Sequence, residues 1–145
     1  MTQFGANPDA AFLYTASILV TEFGDSSVFG GAHDATLMEM LTRFSEGVFA
    51  RLADLAAFSA RTEVTTPTRG PRAATASPVT RGTSAAFQMV EEFFFLVARF
   101  LEYSPSRLLA SGPVMAGVVQ CGAAGLGVDN RSVHSGIISC FHHLQ

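Results

Sequence analysis

The stretch VEEFFFLVARFLEYSP, residues 90–105, decides how the chain is read. A helix turns about 100° per residue, so three consecutive phenylalanines cannot all face one core. Val90, Phe93, Phe94, Val97, Phe100 and Leu101 share one broad face and are expected to be buried together. Phe95 falls on the other side, with Arg99 and Tyr103 following at successive steps of four. A simple amphipathic helix has no use for an aromatic there. Phe95 therefore either packs against a neighbouring element or faces a ligand.

The composition suits such a helix. Apolar residues make up 48% of the 145 and charged residues 14%, enough for a packed core and too apolar for a disordered chain. All nine basic residues are arginine, a bias read first as codon or genome preference. Four arginines and one glutamate lie in 61–84, leaving that segment at +3 in a chain of net −3. Positive charge gathered there, and not along a helix face, is no nucleic-acid footprint. Cys121 and Cys140 form no spaced motif, so a reduced compartment is the simpler assumption. The opening MTQFGANPDA lacks the basic start and apolar run of a signal peptide. The most apolar stretch, 113–128, contains Gln120 and several glycines and is shorter than the roughly 20 residues a membrane span requires.

Working outward, Asn7-Pro8-Asp9 reads as a helix start. Phe12, Ala16, Leu19 and Phe23 follow at helical spacing, with Leu13 and Val20 alongside, and Gly24 is a natural stop. A second helix is expected from about Asp34 to Ala60, with Leu37, Leu41, Phe44, Val48, Leu52 and Leu55 as its apolar stripe. Residues 61–84, RTEVTTPTRGPRAATASPVTRGTS, lack periodicity and read as a disordered insertion or linker. After the aromatic helix comes a short turn holding Leu108-Leu109, and a glycine-weakened helix from Pro113 to about Leu126. A last helix is capped by Asp129, with Val133, Ile137, Cys140, Phe141 and Leu144 inward. No strand pattern competes. The expected fold is all-α, antiparallel helix pairs of a HEAT-repeat solenoid, with 1–60 as a first pair and 85–145 as further helices. Pairs recurring at roughly 40–47 residues fit that architecture once 61–84 is set aside.

Four segments in register resemble one family. FLYTASILVTEFG (12–24), VEEFFFLVARFLEYSP (90–105), the Leu108-Leu109-Ala110-Ser111 turn and VDNRSVHSGIISCFHHL (128–144) look like successive pieces of the transportin-SR branch of the importin-β superfamily, which includes the importin-thirteen type. Its members show a Phe-Leu-Tyr helix ending in Glu-Tyr-Gly, an acidic pair leading into an Arg-Phe helix that ends in Ser-Pro, a Leu-Leu turn and an Asp-x-Arg helix start. The resemblance implies a nuclear transport receptor, or karyopherin: a superhelix of HEAT repeats of the ARM type, without cofactor or enzymatic chemistry. Such receptors carry protein cargo between cytoplasm and nucleus past nucleoporins, and release it when the small GTPase Ran engages them. The matched segments look like the cargo-holding C-terminal half, so much of the Ran-binding surface would be missing and the chain would be a fragment.

In that family the matching helix carries an inner arginine stripe that grips phosphorylated Arg-Ser cargo, because guanidinium binds phosphate in a bidentate way. Here only Arg99 matches, with Phe95 and Tyr103 at the flanking positions. The stripe could instead stack on cargo arginines or aromatics, with Glu91 and Glu102 attracting basic segments. The rival and favoured expectation is that Phe95 and Tyr103 simply pack against a neighbouring repeat. At the level of function, the alternative is a helical-repeat scaffold or adaptor outside transport.

Other chemistry finds little support in the residues. His134, Cys140, His142 and His143 lack a second spaced pair for a metal site. The glycines of 122–127 follow no strand and precede no Lys-Ser/Thr. No nucleophile-elbow sequence exists. Thr66-Pro67 and Ser77-Pro78 are candidate phosphorylation sites beside arginines, set against an inert spacer as the stronger expectation.

Overall fold

The computed structural model describes residues 9–25, 33–62 and 78–144. Among them are six helices and no strand: α1 Ala10–Phe23, α2 Asp34–Thr62, α3 Pro78–Tyr103, α4 Pro105–Ala110, α5 Gly112–Leu126 and α6 Arg131–His142.

Local chemistry sets the boundaries. Asp9 caps α1, its Oδ1 accepting from the Ala11 N–H at 2.9 Å. Asn130, and not Asp129, caps α6, its Oδ1 accepting from the Val133 N–H at 3.1 Å. In each case the short polar side chain satisfies one of the donors that the first helical turn leaves open. The Leu108-Leu109 turn is itself helical, started by Pro105. Its Leu108 is buried while Leu109 is exposed.

The reading of 61–84 as a linker is corrected at both ends. Helix α2 runs to Thr62 and α3 already begins at Pro78. Ser77-Pro78 places proline at the first helical position, where its missing N–H costs nothing. Once the aromatic helix is formed, adding turns ahead of it needs no new nucleus. The remainder of the expected linker, with the Thr66-Pro67 and Ser77 sites, lies outside the described residues.

Packing follows the expected apolar stripes on α2 and α3, whereas on α1 Leu13, Ala16 and Val20 are buried and Phe12, Leu19 and Phe23 stay exposed. On α2, Leu37, Leu41, Phe44, Val48, Leu52 and Leu55 are all buried. On α3, Val90, Phe93, Phe94, Val97, Phe100 and Leu101 are buried, joined by Met89, Leu96 and Ala98. So wide a buried arc requires neighbours on several sides. Helix α3 packs between α1 and α6 and also against α2, while α2 packs on α5 and α5 on α6. The result is two layers, α1–α3–α6 and α2–α5, the arrangement of an all-α helical-repeat segment.

The pairing differs in one respect from the expected first pair across 1–60. The main neighbour of α1 is α3. At the end nearer α2, Phe23 meets His33 edge-on, ring centroids 5.6 Å apart. At the start of α2, the buried carboxylate of Asp34 forms an ion pair with Arg107 of α4. That pair ties the short helix to the α2 layer.

Candidate functional site

Where α3 lies between α1 and α6, one strip of it stays uncovered. Glu92, Phe95, Arg99 and Glu102 recur at steps of three and four, so they form a stripe along one edge. Together with Tyr14 and Ser17 of α1 and Ser139 and His143 near α6, they line a groove of about 390 Å³. That volume is near the small end of the roughly 300–1,000 Å³ of ordinary ligand pockets. It admits one or two side chains of an extended segment.

The rings on its walls are accessible: Tyr14 is 58% exposed and Phe95 36%. Phe93 and Phe94, the residues just before Phe95, are fully buried and meet edge-to-face at 5.6 Å. The odd phenylalanine therefore lies off the buried face, as its helical phase implies, and lines the groove.

Charge in the groove is uneven. Arg99 donates from Nη1 to Glu102 Oε2 at 2.8 Å, both side chains being half-exposed. No described residue hydrogen-bonds or ion-pairs with the Glu92 carboxylate. Partial burial pushes that carboxyl above the ordinary range, and the adjacent Glu91 charge adds to the rise. The same groove lining includes acceptors. The Ser17 hydroxyl donates to the Tyr14 carbonyl at 2.7 Å, which leaves its oxygen lone pairs available. His143 Nδ1 lies 2.8 Å from the Ser139 carbonyl; a carbonyl only accepts, so Nδ1 carries a proton, and Nε2 accepts whenever the imidazole is neutral.

Of the expected site residues, Phe95, Arg99 and Glu102 come together here. Glu91 and Tyr103 do not line the groove. The backbone of Glu91 lies against Gly136 of α6, and Tyr103 approaches Gly24 at the end of α1 and packs on the core. For Tyr103, packing on a neighbouring helix is what the structure has; for Phe95 it is exposure. Glu92, which the sequence reading passed over for Glu91, was legible as the i−3 neighbour of Phe95. Tyr14, Ser17, Ser139 and His143 depend on which helices flank α3, and nothing local in the sequence encodes that.

Neither cysteine is poised for chemistry. Cys121 and Cys140 are buried, and burial pushes both thiols up to about 12, so thiolate is scarce at neutral pH. Among the described residues, no group of three or more His, Cys, Asp or Glu side chains could hold a metal ion. No described helix is long and apolar enough to cross a membrane.

What fold and site together define is a class, an all-α helical-repeat segment with a polar, aromatic-walled groove on one layer. No family model matches the chain, and neither a curated protein nor a solved structure is detectably similar to it.

Proposed function

We propose that the chain is a segment of a nuclear transport receptor of the importin-β type, holding a protein cargo segment in the groove of the α1–α3–α6 layer. The observation that carries this reading is that groove, with Phe95, Arg99 and Glu102 exposed on α3 between two flanking helices. The transport assignment itself rests on the sequence resemblance. Cargo rich in basic or Arg-Ser segments fits the acidic, aromatic lining better than a surface of mixed charge would. No catalytic step is part of the reading. In the whole receptor, Ran binding would fall mainly outside this segment, and shuttling between cytoplasm and nucleus past nucleoporins would follow.

A protein-interaction scaffold outside transport is the second reading, and one observation favours it. Two carboxylates, Glu92 and Glu102, flank the single arginine of the groove, so a phosphoserine grip of the transportin-SR kind is electrostatically weak. The Arg99–Glu102 pair alone would be a minor obstacle, since exposed pairs are worth under about 1 kcal/mol.

Affinity capture with the full-length gene product separates the two. The transport reading expects Arg-Ser-rich or basic proteins to be retained and then released by Ran-GTP. Retention indifferent to Ran-GTP would leave the scaffold reading in place and remove the transport one.

A further inference from the structure

We propose that Glu92 is the counter-ion for an arginine side chain presented by the bound protein segment, which enters the groove between the rings of Tyr14 and Phe95. This inference rests on the groove being a protein-binding site and adds the chemistry that it selects.

The charges point first. Glu102 already has Arg99 as its partner at 2.8 Å, while Glu92 has none among the described residues. The fixed charge lining the groove is thus one negative in excess. A partly desolvated carboxylate without a cation is in an unfavourable setting, and an incoming guanidinium would relieve it.

Hydrogen-bond complementarity points the same way. Besides the carboxylate, the groove lining offers the Ser17 oxygen as an acceptor and, on a neutral His143, Nε2. Arginine carries five N–H donors in a planar fork and no acceptor. Lysine would satisfy the charge but not the walls, because an ammonium neither lies flat on a ring nor binds carboxylate in a bidentate way. Tyr14 from α1 and Phe95 from α3 supply exposed ring surface on the same groove. The volume, about 390 Å³, takes a guanidinium side chain and a short stretch of its backbone.

The test uses the whole chain labelled with 15N and three capped peptides: Gly-Ser-Arg-Ser-Gly, the same peptide with citrulline for arginine, and Gly-pSer-Gly-pSer-Gly. Amide shifts should centre on Tyr14, Glu92, Phe95 and Ser139 with the arginine peptide. Affinity should fall about tenfold or more with citrulline, a neutral isostere, as expected for loss of a charge-assisted hydrogen bond. Glu92→Gln should remove the preference for arginine over citrulline while leaving the rest of the spectrum in place. Equal binding of the arginine and citrulline peptides would overturn the inference but keep the groove reading, and so would wild-type affinity in the Glu92→Gln chain. Shifts with the phosphoserine peptide alone would also overturn it and assign the site to Arg99. If no peptide perturbs the groove, the inference and the groove reading fall together.

Discussion

Helix α3 fills the middle of its layer with Phe93, Phe94 and Phe100, all buried, whereas α5 meets its neighbours through glycines. A Cβ on Gly117 would run into the Phe49 ring of α2. One on Gly122 would stand 2.7 Å from the ring of Phe141, and one on Gly125 2.7 Å from Ile137 Cδ1. One helix thus reaches interior density by bulk and the other by its absence, because cores are packed like crystals and large groups on one side need small ones opposite. The glycines that weaken α5 as an isolated helix are what let large side chains of α2 and α6 lie against it. Local helix propensity is given up for tertiary fit, a common exchange.

The contrast is sharpest in how the regions should fail. Phe94→Ala removes a fully buried ring from α3 and should cost about 3–5 kcal/mol, cavity included. Against a total of roughly 5–15 kcal/mol for a domain, urea melts of that variant should show a third or more of the stability gone. Its sequence neighbour should behave otherwise. Adding bulk does the opposite kind of damage. At Gly136 of α6 an added Cβ would sit 3.1 Å from the Glu91 carbonyl oxygen and 3.3 Å from its Cα. Backbone cannot swing aside as a ring can, so Gly136→Val should lose about 1–3 kcal/mol by overpacking. The same melts would rank it below Phe94→Ala and above Gly117→Ala, where the Phe49 ring can turn aside.

Phe95→Ala is the next step down. Its ring stands partly in solvent on the groove wall, so the cost to stability should be about 1–2 kcal/mol, well short of that for Phe94→Ala. Equal losses for Phe94→Ala and Phe95→Ala would mean that α3 is covered all round and has no open edge.

That pair of residues also shows how far the sequence alone could go. Helical phase separates Phe94 from Phe95 without any knowledge of neighbours, and the stripes of α2 and α3 were readable for the same reason. Tyr103 shares a helical row with Phe95 yet packs toward Gly24 of α1. Phase alone could not tell those two apart, because the answer depends on where the neighbouring helix ends. The preference of α1 for α3 over its successor α2 is likewise a long-range fact with no local signature. The start of α3 at Pro78 was hidden by a composition of Thr, Arg, Gly and Ser that resembles a loop, although Ser77-Pro78 carried the start signal.

The smallest expected effect is one of pH. Burial and Glu91 raise the folded-state pKa of Glu92 above its ordinary 4.5, so the folded chain binds the proton more tightly than the unfolded one. Linkage then makes this group lower stability as pH rises through the window above 4.5, and the penalty vanishes below it. Glu92→Gln should therefore be slightly more stable than wild type at pH 7, with the gap closing by pH 4. A gap that widened on acidification would mean that Glu92 has a cationic partner in the free protein.

The account rests most heavily on α3 lying between α1 and α6 in one layer. A NOESY spectrum of the whole chain tests this directly through two contacts, Phe94 Hβ with Gly136 Hα and Tyr103 Hβ with Gly24 Hα, which flank α3 on its two sides. Both cross-peaks in one folded species are the predicted result. Their joint absence, with α1 instead giving its strong contacts to α2, would contradict the two-layer stack and remove the groove built on it.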